Sequence, residues 1–374
     1  MKRAVIAAQA LLFAALLVSF APPALASDHA DPIFLSDPEA NITGLFCFPH
    51  DDQLVLILNV RRSTTKGTPF PLAPYEYDIN IDTHSEVTYD DENRARYGGK
   101  VTNPEGISAD INIKIHLNDD ITFKDVAYTG LKDTKGITTW SGLRDDPFIF
   151  PRFFKKNVLS LVFSIPQSAL PAGRQDFLLW GVTSKNGKEI DHVGRSNRTQ
   201  LGRFYFINTL PPNQHVAAIM KEMKKTDAIT KWLKKYKLTT PLGNGYSMLL
   251  GIRKYDLAPD VMVYTTHYPV GFPNGRLLTD DIVAKTCETG DCDLQELSFT
   301  EGKWPRALVN DKPFSANAPF EADPWPDSPE APGPVSFWHV GIWLILITVL
   351  IAWLWSWFWY ARGKKACMKQ RRLA

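Results

Sequence analysis

An apolar run close to the end of the chain, residues 337–360, restricts the fold of this sequence more than any other feature. About 20 apolar residues in a helix match a hydrocarbon core of roughly 30 Å, so the run predicts a single transmembrane helix. Six lysine and arginine residues follow within 361–374. Clusters of this kind remain on the cytoplasmic side of a membrane, so the long part before the run is expected to lie outside the cytoplasm.

The opposite end of the chain predicts an export signal. Lys2 and Arg3 precede an apolar stretch, and residues 24–26 form an Ala-Leu-Ala cleavage site. Basic, apolar and small-residue regions in this order are typical of a secretory signal peptide. The mature chain is therefore expected to begin at Ser27.

The two ends together predict a single-pass protein of the bacterial inner membrane with its large domain in the periplasm. Its five segments are a signal peptide at 1–26, a periplasmic β-rich domain at 27–318, a proline-rich linker at 319–335, a transmembrane helix at 336–360 and a cytoplasmic tail at 361–374. Proline recurs in the linker without any apolar period. This composition is typical of an extended, semi-rigid stalk rather than a folded segment.

The charge of the exported part argues against nucleic acid as a partner. Eight of the 42 basic residues lie in the signal and the tail, which leaves 34 basic residues against 40 acidic ones. Proteins that bind nucleic acid carry an excess of basic charge on the binding face. The partners are therefore expected among the membrane and other proteins of the periplasm.

The chain has four cysteines, so few disulfide bonds are expected to stabilise it. Cys287 and Cys292 are close enough in the chain for a small disulfide loop in an oxidising compartment. The alternative, a metal pair, needs two further ligands that no neighbouring spacing supplies, so the sequence favours the disulfide. Cys47 is then left unpaired and is expected to be buried between Phe46 and Phe48.

The pattern of apolar residues predicts a mainly β protein. Residues 54–60 form a continuous apolar run, which is typical of a strand buried on both faces. Residues 75–82 and 110–117 alternate strictly between apolar and polar side chains, as strands of an antiparallel sheet with one solvated face do. The spacing of the strands favours a β-sandwich. Further strands are expected at 121–128, 158–165, 176–182, 203–207 and 261–265.

One substantial helix is expected to begin at Asn213, which can cap it, and to extend to Tyr236. Its apolar residues recur at helical spacing, and lysines occupy the other face. The favoured interpretation is a helix packed on the sheet with a solvated lysine face, and the alternative is a helix on an anionic membrane surface. A shorter helix is expected to start at Thr279.

The new N-terminus is one candidate metal site. If cleavage follows Ala26, the amine of Ser27, the backbone amides of Asp28 and His29 and the His29 imidazole supply four nitrogens in a plane, a geometry that suits Cu(II) or Ni(II). The alternative is that His29 docks into the sheet through hydrogen bonds.

Two acidic groups are further candidate ion sites. Asp78, Asn80 and Asp82 have the alternate oxygen spacing of a Ca(II) loop, but the glycine and closing glutamate of an EF-hand are missing. The alternative is a solvated face of a strand. Asp145 and Asp146, together with Arg144, are either an ion site or an internal salt bridge and turn cap.

No catalytic motif is present in the sequence. Paired carboxylates raise the question of acid–base catalysis, but Asp145 and Asp146 have no identified histidine or nucleophile partner. An apolar pocket that gathers either of them with His192 or His267 would indicate an enzyme. An enzyme of unrecognised class therefore stays open, and a non-catalytic protein is favoured.

Five blocks of sequence together resemble the bacterial domain of unknown function 4331 family. They are SDHADPIFLSDPEANITGLFCF at 27–48, GLRDDPFIF at 142–150, NVLSLVFSIPQSAL at 157–170, LLWGVTS at 178–184 and VGFPNGRLLTDDIV at 270–283. The resemblance implies an exported, β-rich domain without an established activity, so no catalytic residue can be transferred from it.

Two features depart from the pattern of that family. Residues 191–206 fit it loosely, and the predicted span with its basic tail is an addition to the usual soluble form. The addition indicates a fixed partner at the membrane. The first function hypothesis is accordingly a non-enzymatic binding or accessory subunit, which docks against a membrane complex or an exported redox or transport partner. The second is a periplasmic protein that binds copper or calcium.

Overall fold

The structure is a computed structural model of the whole chain, and contacts divide it into two units. One unit is Leu25–Ala331, and the other combines Met1–Ala24 with Pro332–Ala374. The residues that the structure describes are 29, 37, 40–62, 71–171, 176–199, 204–235, 252, 256–292, 295, 309–326, 348 and 351.

The described part of the chain is mainly β. Three α-helices accompany its strands: α1 (Asp91–Tyr97), α2 (Pro212–Lys235) and α3 (Ile282–Glu288). The twelve described strands are β1 (Ile42–His50), β2 (Gln53–Arg62), β3 (Glu76–Asp82), β4 (Val87–Thr88), β5 (Lys100–Val101), β6 (Ile111–Leu117), β7 (Phe123–Thr129), β8 (Thr138–Asp145), β9 (Asn157–Pro166), β10 (Asp176–Lys185), β11 (Lys188–Val193) and β12 (Met262–Thr265).

Two antiparallel sheets carry most of these strands. The four-stranded sheet has the order β1-β2-β9-β8. Five strands of the six-stranded sheet have the order β11-β10-β3-β6-β7. The sixth strand, β12, pairs with residues 176–179 of β10, whereas β11 pairs with residues 181–185 of the same strand. Strands β4 and β5 form a separate short pair beside α1. The predicted mainly β, antiparallel, sandwich-like fold is confirmed.

The main core lies between the two sheets, and the alternation of the sequence explains it. In β6, Ile111, Ile113 and Ile115 are completely buried, while Asn112 and Lys114 between them are half-buried. Successive side chains of a strand point to opposite faces, so every second residue of β6 enters the core. Burying each large aliphatic side chain contributes about 2 kcal/mol to folding.

The central strands of the four-stranded sheet are buried on both faces, as predicted for residues 54–60. Leu56 and Leu58 of β2 belong to the main core. Val55 and Ile57 point the other way and pack with Phe320 from the C-terminal part of the domain. This second layer explains why the run has no polar alternation.

Several elements differ from the sequence-based expectation. The strand expected at 203–207 is wrong, because its described residues form the 3₁₀-helix Tyr205–Ile207. Strands β1, β8 and β11 were not expected. Helix α3 begins at Ile282 rather than near Thr279, since the side chain of Asp281 accepts a hydrogen bond from the Ala284 amide and caps it.

The long helix is present as expected, with a different start and different packing. It begins at Pro212, a residue well suited to the first turn of a helix, one position before the expected cap at Asn213. Ile219 packs with Phe204 and Ile207 of the neighbouring 3₁₀-helix rather than in the core between the sheets. The beginning of the helix also contacts the six-stranded sheet, where the ring of His215 lies 4.9 Å from that of His192 on β11, so the expected packing on the sheet is present at this end.

The chain is still packed against the domain where the linker was expected to begin. Phe320, Glu321 and Ala322 are buried, and the backbone amide of Trp325 donates to Asn157 Oδ1 at 2.8 Å. We call residues 309–326 the C-terminal strap. The remaining linker residues lie outside the described part of the chain.

The predicted membrane segments lie outside the described residues. This holds for the signal at 1–26, for the tail at 361–374 and for the span at 336–360 except Thr348 and Ile351, which are helical. Within the described residues, no helix combines the length and the apolar character needed to cross a membrane.

Candidate functional site

A polar cleft of about 410 Å³ lies on the outer face of the six-stranded sheet. Residues 107–109, Glu189 and residues 211–213 form its walls. The antiparallel register of β10, β3 and β6 aligns two rows of side chains across its floor. In order, the rows are Val182, Asp78 and Lys114, followed by Trp180, Asn80 and Asn112.

Hydrogen bonds hold the polar side chains of the floor in place. Asn112 Nδ2 donates to Asp78 Oδ1 and to Asn80 Oδ1, both at 2.9 Å. Lys114 Nζ donates to Glu76 Oε1 at 2.6 Å and lies 4.0 Å from Asp78 Oδ1. Burial raises the pKa of Asp78, and Asn112 and Lys114 oppose that shift. Because Glu76 already neutralises Lys114, the floor retains acidic character.

Glu189 adds a second carboxylate to the cleft and connects it to a buried histidine. Glu189 Oε1 lies 3.4 Å from His192 Nδ1, and His192 Nε2 donates to the Asp260 carbonyl at 2.8 Å. Burial lowers the pKa of His192, but Glu189 and Asp260 outweigh burial, so the pKa is raised. His192 therefore lies within ion-pair distance of Glu189, behind the cleft wall.

The cleft can bind a small, positively charged, hydrogen-bond-donating group. Asp78 and Glu189 favour a cation, and the amide oxygens of asparagine accept hydrogen bonds. Trp180 lies in the floor row, and an aromatic ring attracts a cation or packs against a ligand. This arrangement of charge and hydrogen-bond acceptors suits the binding of such a group.

The structure separates the three residues of the predicted calcium loop. Asp78 and Asn80 belong to the cleft floor, whereas Asp82 lies at the end of β3. Asp82 accepts hydrogen bonds from the amides of Ser85 and Ser108 at 2.9 and 3.0 Å and thereby holds the following turn. Asp82 thus has different hydrogen-bond partners from Asp78 and Asn80, and the calcium site at these three residues stays a prediction.

Asp82 instead approaches His84 and Asp110. The potential ligand atoms of these three residues all lie within 4.8 Å of one another. Asp110 also accepts hydrogen bonds from the Thr83 amide at 2.7 Å and the Thr83 hydroxyl at 2.6 Å. His84 is exposed, so two carboxylates and one imidazole at a strand end form a candidate metal centre.

His29, the key residue of the predicted copper site, is completely buried. Its Nε2 lies 2.9 Å from Asp191 Oδ1, and its Nδ1 lies 2.9 Å from the hydroxyl of Thr199. Both ring nitrogens therefore have protein partners, as in the alternative of a docked histidine. Ser27 and Asp28 lie outside the described residues, so the copper site stays a prediction.

Asp145 and Asp146 are structural in this arrangement. Asp145 Oδ1 accepts from Trp325 Nε1 at 2.7 Å, and its Oδ2 accepts from Asn310 Nδ2 at 2.6 Å. Burial raises the pKa of Asp145 to about 7, with Asp311 as a further cause. Asp145 thus joins β8 to the C-terminal strap.

Asp146 and its neighbour Arg144 fit the alternative interpretation of this sequence. Asp146 Oδ1 accepts from the Phe148 amide at 3.0 Å, which is a turn cap. Arg144 Nη1 donates to Asp323 Oδ1 at 2.6 Å. A salt bridge and a turn cap are thus present, as in the alternative interpretation, and the ion site stays a prediction.

The structure does not gather the residues that would have indicated an enzyme. Asp145 lies at the end of β8 in the four-stranded sheet, whereas His192 lies on β11 in the six-stranded sheet. His267 is half-exposed and lies 3.8 Å from Asp176. None of these three residues lines the polar cleft.

The cysteines match their sequence-based expectations. Cys287 and Cys292 form a disulfide with a Cα–Cα distance of 4.1 Å, which closes a small loop after α3. Cys47 is free and completely buried, and burial raises the pKa of its thiol.

Sequence reasoning identified only part of the cleft. The alternation of β6 placed Asn112 and Lys114 on a polar face, and that of β3 did the same for Asp78 and Asn80. Glu189 had no comparable signal, because β11 is short and its pairing with β10 is decided by the fold.

Comparisons with protein-family models, with curated proteins and with solved structures find no match to this chain.

Proposed function

We propose that this chain is a non-catalytic binding protein of the periplasm, held at the bacterial inner membrane by residues 336–360 and acting as an accessory subunit of a membrane or periplasmic complex. The observation that supports it best is the acidic, Trp180-containing cleft on the outer face of the six-stranded sheet. The ligand class that fits is a small organic cation with hydrogen-bond donors. The resemblance to the domain of unknown function 4331 family is part of this proposal.

The physical argument rests on how the cleft is built. Its floor is a rigid sheet whose side chains already hold one another through Asn112, so ordering them on binding costs little. Asp78 and Glu189 stand on different strands and can contact a cation from two sides. An amine that displaces water from between two carboxylates gains charge-assisted hydrogen bonds.

Binding of small amines to the purified full chain tests the cleft. We expect diamines and amino alcohols to raise the melting temperature, whereas dicarboxylates of similar size do not. Asp78→Asn and Glu189→Gln should each weaken binding about tenfold, because each removes one charge-assisted hydrogen bond. Asp125→Asn, an exposed change on β7, is the control. Equal binding by all three variants would refute the cleft as the site.

Purification in mild detergent tests the accessory role separately. Native mass spectrometry of the product reports a stoichiometric partner, bound small molecules and the mature N-terminus in one measurement. A partner in a fixed ratio supports an accessory subunit, and a clean monomer without any bound molecule counts against it.

A second candidate function is metal binding, which the proximity of Asp82, His84 and Asp110 favours. Two carboxylates and an imidazole suit a divalent transition ion, Cu(II) among them, better than Ca(II). Elemental analysis after dialysis against each ion is the test. His84→Ala should abolish the retained metal, while the control His50→Ala on the other sheet should not. Unchanged metal content in His84→Ala would remove this idea.

A further inference from the structure

The second half of α2 presents apolar side chains to solvent. Every described side chain from Asp227 to Lys235 is exposed, including Ile229 at 44% and Trp232 at 54%. A large aromatic side chain is rarely left so open on a helix whose lysines already supply solubility.

The first half of the same helix is firmly attached to the domain. His215 Nδ1 accepts from the Asp260 amide at 3.0 Å, and its Nε2 donates to the Leu210 carbonyl at 2.7 Å. Ile219 is completely buried, and Thr226 is the last buried residue among the helix positions whose side chains the structure describes. The helix is therefore anchored at its beginning, and the described side chains of its last turns are exposed.

The last turns of α2 combine apolar and basic side chains on one face. Ile229 and Trp232 are three residues apart, and Lys225 and Lys235 lie one turn before and one turn after them, so all four share a side of the helix. The helix carries six lysines against Glu222 and Asp227, although the exported part as a whole has more acidic than basic residues. The positive charge is thus local.

We propose that the second half of α2 lies on the surface of an anionic phospholipid bilayer. Trp232 and Ile229 enter the headgroup region, where an indole ring is stable, and the lysines contact lipid phosphates. An anionic membrane attracts each nearby lysine, which explains why a basic helix stands on an acidic domain. The proposal goes beyond the binding function, because it assigns the domain a second contact with the membrane that residues 336–360 are predicted to cross.

Hydrogen exchange of the full chain in nanodiscs tests the proposal. We expect the backbone amides of 227–235 to exchange about tenfold more slowly in discs that contain phosphatidylglycerol than in discs of phosphatidylcholine alone. The triple variant Lys221→Glu, Lys224→Glu and Lys225→Glu should lose this difference. High salt should reduce it in the unmodified chain, because salt screens the attraction to phosphate.

A matched control separates local contact from overall charge. Lys124, Lys132 and Lys135 are exposed on and after β7, and their replacement by glutamate makes the same change of charge. This control should retain the lipid-dependent protection, and Trp232→Ser should lose most of it. Unchanged exchange of the β3 and β6 amides shows that each variant is folded.

Three results would overturn the proposal. The first is equal exchange of 227–235 in both kinds of disc. The second is equal loss of protection in the control triple variant, which would indicate an effect of total charge. The third is protection that requires a co-purified protein and is independent of lipid charge, which would make this surface a protein interface.

Discussion

Glu321 lies completely buried over a cross-strand pair of the four-stranded sheet, Asn59 on β2 and Ser160 on β9. Asn59 Nδ2 donates to its Oε1 at 2.6 Å. Burial raises the pKa of Glu321 to about 7, and Asp146 adds to the shift. The raised pKa means that the folded protein holds a proton that the unfolded chain releases above about pH 4.3.

This proton makes stability fall as pH rises. Between the unfolded pKa and about pH 7 the folded state binds more protons than the unfolded state, so the free energy of unfolding decreases with pH in that window. We expect Glu321→Gln, which is neutral throughout, to lose this dependence and to be more stable than the unmodified protein at pH 8, by on the order of 3 kcal/mol. Urea unfolding at pH 5 and pH 8 measures both quantities, and parallel pH curves for the two proteins would contradict the assignment.

Gly275 occupies a position where the fold requires a residue without a side chain. Its φ is +63°, and a Cβ there would lie 2.6 Å from the Cys47 carbonyl oxygen. The next residue, Arg276, exchanges two backbone hydrogen bonds with Cys47, so the chain cannot move away without losing them. Glycine therefore allows the 270–283 block to pair with β1.

Replacing Gly275 with alanine should cost about 2 kcal/mol or more of unfolding free energy, from the positive φ and the collision together. Gly187 is a matched control, because its φ is +71° and a Cβ there meets nothing within 4 Å. Gly187→Ala should cost about 1 kcal/mol, the part due to φ alone. Thermal and urea unfolding of both variants measure the difference, and equal losses would contradict the collision.

At the scale of elements, the C-terminal strap is the part of the chain whose packing has most consequence. Asn310 and Trp325 of the strap donate hydrogen bonds to buried Asp145 on β8. Glu321 of the strap is itself a buried carboxylate and accepts a hydrogen bond from Asn59 on β2. The Asp145 amide also donates to the Ala322 carbonyl at 3.1 Å. The strap therefore covers the outer face of the four-stranded sheet and closes the domain before the predicted span.

Trp325→Phe tests this role. The change keeps an aromatic ring but removes the Nε1 donor to buried Asp145, and an unsatisfied buried carboxylate costs about 1–3 kcal/mol. We expect faster proteolysis within 309–326 and a lower unfolding free energy. Trp232→Phe, on the exposed part of α2, is the control and should change neither. Identical proteolysis of both variants would show that the strap does not depend on this hydrogen bond.

At the scale of the whole molecule, the prediction concerns topology. A green fluorescent protein fused behind Ala374 should fluoresce, and alkaline phosphatase at the same position should be inactive, because the basic tail is expected in the cytoplasm. Phosphatase fused behind Pro326 in a chain that ends there should be active in the periplasm. Active phosphatase behind Ala374 would reverse the predicted orientation and remove the basis of the accessory role.

The sequence predicted those parts of the fold that depend on local periodicity. The alternation of β3 and β6 identified Ile79 and Ile113 as core residues, and the continuous apolar run of β2 identified a strand buried on both faces. Strands β8 and β11 were missed, because Gly142 and the charged residues of 188–193 interrupt any simple pattern. Their membership of a sheet depends on pairing with β9 and β10.

The sequence by itself indicated strands with alternating apolar and polar residues, a disulfide between two nearby cysteines and an apolar segment near each end of the chain. Each of these features depends on residues that are close together along the chain. Tertiary structure alone decided which distant residues meet. It aligned Trp180, Asn80 and Asn112 in one row across three strands, brought Asp82 close to Asp110 and buried Glu321, which the composition of its segment assigned to an extended linker. The physical reason is that the burial of a polar side chain depends on which residues pack against it. Strand pairing decides this, because it brings together residues that are far apart in the sequence.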